Sequence, residues 1–361
     1  MKLSSHFLRS LLHLLAACML WLPIAKSANA QDVVCGKFSM PSSMAFGSFT
    51  PFDAAPTTSG QISFECYNTN SAVLGWGPSI YAAVCFNFGP GSAGGSASSR
   101  SMTTTGTVAV DTLQYQIYRS ANQVWGSRSM AGSQAAEVVL ELPVRWLILG
   151  DYVRRTATLT YTASIASGQT TAVPGDYKSN FSGNSAEIIV VSSSNSNVSC
   201  QGVAASSSNV SLTPTSLSFV VTAKVLPICK LDVSTATLNF GSIDPLTTGP
   251  FDAASSISTR CTNKTNYQIA MEPSGTPTPT NGVGTLRSGS TIVGNPDTYL
   301  NYGLFQDSSR TQQWGNVQNV NTVSRQGTGN TDTTTPIYGR ITNGNVRPGS
   351  YTDTVVVKVI Y

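Results

Sequence analysis

The chain has 361 residues, only 11% of them charged, with 21 Lys and Arg against 17 Asp and Glu for a formal net charge of +4. That length favours two domains, and so weak a charge gives no electrostatic case for nucleic acid as a partner. The only histidines, His6 and His13, lie near the start.

Met1-Lys2 and Arg9, the apolar stretch from Leu11 to Ile24, and Ala28-Asn29-Ala30 together predict a secretory signal over residues 1–30, cut after Ala30. A rival reading attaches lipid at Cys18 in Leu15-Ala16-Ala17-Cys18. Cleavage after Ala30 removes Cys18, both histidines and the basic residues Lys2, Arg9 and Lys26, leaving 18 basic and 17 acidic residues, or +1. Six cysteines remain, and an even count in an exported chain predicts three disulfides in an oxidising compartment. With no imidazole left, Ser-His-Asp and Cys-His nucleophiles, His-type zinc sites and histidine general bases are excluded. No later apolar run reaches the roughly 18 residues of a membrane span.

The rest of the chain is organised as a repeat. Cys35 leads to Phe46-Gly47-Ser48, then Phe52-Asp53-Ala54-Ala55, then Cys66. Cys229 leads in the same order to Phe240-Gly241-Ser242, Phe251-Asp252-Ala253-Ala254 and Cys261. Leu113-Gln114-Tyr115-Gln116-Ile117-Tyr118 with Trp125-Gly126 answers Leu300-Asn301-Tyr302-Gly303-Leu304-Phe305 with Trp314-Gly315. Gly150-Asp151-Tyr152 ahead of Thr158-Leu159-Thr160-Tyr161 is matched to Gly349-Ser350-Tyr351 ahead of Thr354-Val355-Val356-Val357. The repeat pairs Cys35 with Cys66 and Cys229 with Cys261, which leaves Cys85 for Cys200.

Strand-like runs alternate with Gly, Pro, Asn and Ser turns and no stretch has helical periodicity, so the expected fold is all-β: two tandem immunoglobulin-like β-sandwiches. The expected divisions are an N-terminal domain at 31–191, a Ser/Asn-rich linker at 192–216 and a C-terminal domain at 217–361. Glu187-Ile188-Ile189-Val190-Val191, expected to have no counterpart in the second half, is the expected last strand of the first domain. At the other end Val355, Val357, Val359 and Tyr361 point to one face, while Val356, Lys358 and Ile360 point to the other.

The first half carries an insertion after its second cysteine. Cys261 passes through a short polar turn to Tyr267-Gln268-Ile269, whereas Cys66 is followed by an extra hairpin with Val73, Leu74 and Trp76 before Ile80. Together with Met130 and with Val173 and Pro174, this hairpin is expected to form an apolar patch at one pole, the kind of patch that marks an interaction site. Trp146-Leu147-Ile148-Leu149 is assigned to the opposite pole. Paired carboxylates are the one enzymatic arrangement left, and the candidates Glu137 and Glu141 have no evident partner. Gly89-Pro90-Gly91-Ser92-Ala93-Gly94-Gly95 lacks the Gly-Lys-Ser/Thr ending of a phosphate loop. No enzyme, cofactor or metal is expected.

The C-terminal half resembles the spore coat protein U-like domain of archaic chaperone-usher pilus subunits. The resemblance rests on Phe219-Val220-Val221-Thr222-Ala223-Lys224-Val225, Leu238-Asn239-Phe240-Gly241, Tyr338-Gly339-Arg340-Ile341 and the run from Pro348 to Val357. It implies a C-terminal sandwich lacking its last strand, completed by a periplasmic chaperone and then by the next subunit. Phe219, Val221, Val355, Val357, Val359 and Tyr361 form the expected docking edge. Only Gln31-Asp32-Val33-Val34 would precede Cys35 after cleavage, too little for a donor segment, so the chain is similar to the two-domain tip subunits of Csu-type pili. The implied role is adhesion from the pilus tip, with the outer-membrane usher as a further partner and a hydrophobic or host surface as target. A lectin-like adhesin using Trp76, Tyr81 or Tyr177 and a structural coat or minor pilin subunit are the alternatives.

Overall fold

The computed structural model describes residues 32–72, 77–96, 99–106, 110–120, 123–127, 134–146, 151–201, 210–211, 217–274, 280–288 and 299–361. The expected signal segment lies outside them. The all-β expectation is met: the described residues contain strands and one short 3-10 turn at Gly183–Ser185, with no α-helix.

In the N-terminal half the strands are β1 (Val33–Ser39), β2 (Ser43–Phe49), β3 (Thr57–Asn68), β4 (Ser71–Ala72), β5 (Ile80–Phe88), β6 (Gly95–Ser96), β7 (Ser99–Thr104) and β8 (Thr112–Ser120). They continue through β9 (Gln123–Val124), β10 (Ala136–Leu142), β11 (Arg145–Trp146), β12 (Arg154–Ile165), β13 (Gly175–Phe181), β14 (Ala186–Ser193), β15 (Val210–Ser211) and β16 (Phe219–Val225). The C-terminal half contains β17 (Cys229–Asp232), β18 (Phe251–Cys261), β19 (Asn266–Pro273), β20 (Val283–Ser288), β21 (Tyr299–Phe305), β22 (Val323–Gln326), β23 (Thr333–Ile341), β24 (Tyr351–Thr352) and β25 (Val355–Ile360).

Each half has its own core between two sheets. The first sheet runs β1-β3-β12-β8-β7-β13-β16-β2 and faces β10-β5-β14-β15; in the second half β17-β18-β23-β21-β20-β24 faces β22-β19-β25. All three expected disulfides are formed, and Cys35 and Cys229 sit directly opposite Cys66 and Cys261 in register. Trp125 and Trp314 hold matching core positions: both are fully buried, and each donates its indole N–H at 2.8 Å to a carbonyl on the strand after the second cysteine, Phe86 and Ile269. A buried indole needs such a partner, which fixes the ring's orientation.

Pairing corrects the later part of the repeat. Gly175-Asp176-Tyr177 answers Gly349-Ser350-Tyr351, because β13 pairs with β7 as β24 pairs with β20. Thr158-Leu159-Thr160-Tyr161 lies in β12 against β3, as β23 lies against β18. Glu187-Ile188-Ile189-Val190-Val191 does have a counterpart, because β14 lies antiparallel on β5 as β25 lies on β19.

The expected boundary at 217 also shifts. β16 is an interior strand of the N-terminal sheet, hydrogen-bonded to β13 on one side and β2 on the other. The segment expected to be a linker is partly packed: Val198 and Cys200 are buried with Ala83, Cys85 and Ile189 on the outer face of the second sheet, and Val210–Ser211 extend it beside β14. The joint between the halves is residues 226–228, held at 2.9 Å by Leu226 N–H to the Phe49 carbonyl and at 3.1 Å by Ile228 N–H to the Thr262 hydroxyl.

Candidate functional site

The two halves differ at one equivalent slot. In the N-terminal half, alternation along β16 puts Phe219, Val221, Ala223 and Val225 inside, each at most 5% exposed, and Val220, Thr222 and Lys224 outside. Phe219 stacks on Phe181 with centroids 4.5 Å apart and lies 4.9 Å from Phe88. Seven consecutive residues pair antiparallel with β13, and the opposite edge pairs parallel with β2. Phe219 and Val221, expected on the open edge of the second half, are therefore core residues of the first.

Met44 and Phe46 on β2 close over this strand at 2% and 7% exposure. Gly47, in the shared Phe-Gly-Ser triplet, adopts a φ of 75° and bends β2 at the point where its register with β16 shifts. Such a conformation favours glycine.

The C-terminal half repeats the bend, with Gly241 at a φ of 72°, but no strand forms over 237–243 because no described segment pairs with it. Leu238 and Phe240, the counterparts of Met44 and Phe46, remain half-buried, as do Val355 and Val357. Between them lies a groove of about 570 Å³ lined by Leu231, Leu238, Phe240, Met271, Val355 and Val357, and it adjoins a second cavity of about 510 Å³ along Phe240, Ile243, Leu300 and Pro348. Gly339 permits its floor: a Cβ there would meet Leu238 at 2.4 Å and Phe240 at 2.8 Å. Val359 packs on the second core and Tyr361 is 57% exposed; neither lines the two cavities.

Polar contacts brace the strands beside the groove, on their outer face at Glu272 and in its lining at Tyr302 and Asp353. Lys358 donates to Glu272 at 2.7 Å across β25 and β19, and Asn316 donates to the same carboxylate at 3.0 Å. These bonds hold the Glu272 carboxyl below its ordinary range, Lys358 contributing most. Tyr302 donates its hydroxyl to Asp353 at 2.6 Å; burial first, then that carboxylate, pushes the phenol pKa up.

The described strand ends that flank the three loops expected to share one pole lie apart. The insertion enters β5 at Ile80, while Gln134 and Ala136 stand beside Gly126 and Phe86, at the other end of that strand. The chain leaves β12 at Ile165 after pairing with Thr57, at the end of β3 remote from Asn68, so Val173 and Pro174 are also remote from the insertion. Val173 is in any case 4% exposed, with its N–H on Asp111 and its carbonyl receiving the Tyr177 hydroxyl. Val73, Leu74, Trp76 and Met130 lie outside the described residues. The segment that does join the insertion is the one assigned to the opposite pole: Arg145 and Trp146 pair parallel with Ser71 and Ala72.

Glu137 is a strut, accepting from the Ser199 hydroxyl at 2.8 Å and the Cys200 N–H at 2.9 Å. It also stands near Cys85 and Cys200, but their sulfurs are bonded to each other and cannot serve as thiolate ligands. Arg100, fully buried, donates to the carbonyls of Phe88, Gly89 and Trp125 and to Gln116. Burial lowers its pKa to about 10.

No curated protein matches the chain. Among solved structures it is similar to the CsuC-CsuE chaperone-tip adhesion subunit pre-assembly complex of Acinetobacter baumannii Csu pili, at 17% identity over 91% of this chain and all of that one, with a TM-score of 0.44. It is similar to the CupB6 tip adhesin of Pseudomonas aeruginosa at 12% identity, covering 91% of this chain and 94% of that one, with a TM-score of 0.32. A chaperone-tip adhesin complex of CFA/I fimbriae biogenesis follows at 11% identity, 90% and 98% coverage and a TM-score of 0.30. The model of the Spore Coat Protein U domain matches residues 24–183 and again 215–358, and the chain belongs to that family.

Proposed function

We propose that this protein is the adhesive tip subunit of a chaperone-usher pilus, exported through the periplasm and displayed at the cell surface. The observation that carries the reading is the pair of equivalent slots, one filled by the chain's own β16 and one open. An open apolar groove beside unpaired backbone invites an added strand. The first guest would be a strand of the periplasmic chaperone, replaced at the outer-membrane usher by an extension of the next subunit. β16 supplies the pattern for the final guest: apolar residues at alternate positions, parallel to 237–243 and antiparallel to the chain around Tyr351. Four such side chains at about 1.5 to 3 kcal/mol each would contribute on the order of 10 kcal/mol, enough for a durable joint.

The N-terminal half, already closed, is left to face a target. Its adhesive end in this reading is the inserted hairpin with Val73, Leu74 and Trp76, extended by Trp146-Leu147-Ile148-Leu149; the pairing of β4 with β11 supports the union. Attachment to hydrophobic surfaces and biofilm formation would follow. Replacing Val73, Leu74, Trp76 and Leu147 by Ser should reduce attachment to plastic at unchanged fibre number, and unaltered attachment would remove this end from the mechanism. Blocking by soluble sugars would favour a lectin instead, although Tyr177 is buried with its hydroxyl engaged by Asp111 and Val173.

A further inference from the structure

The bridge between Cys85 and Cys200 differs from the other two in what it encloses. Cys35–Cys66 and Cys229–Cys261 each link neighbouring strands across 31 and 32 residues, whereas Cys85–Cys200 spans 115. One end lies on β5, the strand that leaves the insertion. The other lies on the chain that leads through β16 and the short joint 226–228 into the C-terminal half.

We propose that Cys85–Cys200 is a covalent tether that limits how far the N-terminal half can be drawn out by tension between the insertion and the C-terminal half. The inference rests on the reading that the insertion is the adhesive end. The covalent route then enters β5, crosses the disulfide and leaves along 201–228. It bypasses residues 86–199, which include β7, β8, β10, β12, β13 and β14.

From the C-terminal side, tension enters at β16. This strand is attached to the C-terminal half at its Val225 end and paired along both edges, so a pull along its length loads both ladders. If it yields, the chain that follows Cys200 is drawn out, and the disulfide then stops the extension. The bridge is protected until that point, both cysteines being fully buried and packed with Ala83, Ile189 and Val198. A small-molecule thiol therefore gains access only after that packing is disturbed.

The test is single-molecule stretching of the full chain between handles at Gly77 and Lys230, both at exposed positions. With the bridge intact the load path contains about 38 residues, a ceiling of roughly 130 Å at 3.3 to 3.6 Å per residue. In a C85S/C200S double variant it contains about 153, a ceiling of roughly 520 Å, four times as long. Should that variant fail to fold, dithiothreitol is added to the native chain while it is held at its ceiling; a single further release of roughly 390 Å is expected. Extension of the oxidised native chain well beyond 130 Å, or no further release after reduction, would overturn the proposal. Unaltered surface attachment after replacement of Val73, Leu74, Trp76 and Leu147 by Ser, with these lengths unchanged, would sink only the adhesive reading.

Discussion

The triplets Phe46-Gly47-Ser48 and Phe240-Gly241-Ser242 share a sequence and a bend, yet only the first belongs to a strand. The difference is not local. β2 is a strand because β16 supplies its hydrogen-bonding partner, and 237–243 is not because the corresponding place is a groove. One molecule therefore contains the occupied and the vacant form of the same device, and the occupied form acts as an internal control for the vacant one.

The largest break of that comparison is to empty the filled slot. Phe219→Ala should destabilise the N-terminal half by about 3 to 5 kcal/mol, since it removes a core ring stacked on Phe181, and leave the C-terminal half unchanged. Urea unfolding followed by resonances from each half would show one midpoint falling and the other fixed. A smaller effect, about 2 to 3 kcal/mol, is expected for Val221→Ser, which places a hydroxyl beside Met44. Its counterpart in the open slot, Leu238→Ser, should change the free chain by no more than about 0.5 kcal/mol. The same substitution should weaken capture of a peptide with the sequence of residues 218–226, measured by fluorescence titration; equal costs at Val221 and Leu238 without peptide would erase the distinction.

Arg100→Met should cost roughly 1 to 3 kcal/mol in the N-terminal half alone, because the carbonyls of Phe88, Gly89 and Trp125 lose a shared donor in the core. The smallest effects are those of pH. Bonding first from Lys37, with Arg154 adding to it, lowers the Glu65 pKa, and bonding first from Lys358 lowers that of Glu272. A carboxyl whose folded pKa is depressed contributes stability above its unfolded value and loses it as pH falls through the folded one. Acid titration of Glu65→Gln should therefore flatten the low-pH loss in the N-terminal half only, and Glu272→Gln in the C-terminal half only.

Much of this was legible in the residues. The alternating apolar runs point to the all-β fold, the Cys-Phe-Gly-Ser-Cys order gives two bridges and leaves the third by elimination, and Trp125 answers Trp314. The later repeat was misaligned because Gly-Asp-Tyr occurs twice, at 150–152 and 175–177; the preceding proline, shared by Pro174 and Pro348, was the deciding signal. β16 was assigned to the wrong half because alternation identifies an inward face but not which core receives it. The neighbour of the insertion is hidden for a similar reason: strand direction sets which segments lie side by side, and only the pairing of β4 with β11 brings Arg145 and Trp146 beside Ser71 and Ala72.

Hydrogen exchange across the two Phe-Gly-Ser segments of the full chain tests the central claim most directly. Slow exchange is expected for amides of 44–49 and fast exchange for 238–243, with the second set becoming slow once a strand-like peptide occupies the groove. Equal protection of both segments in the free chain would contradict it.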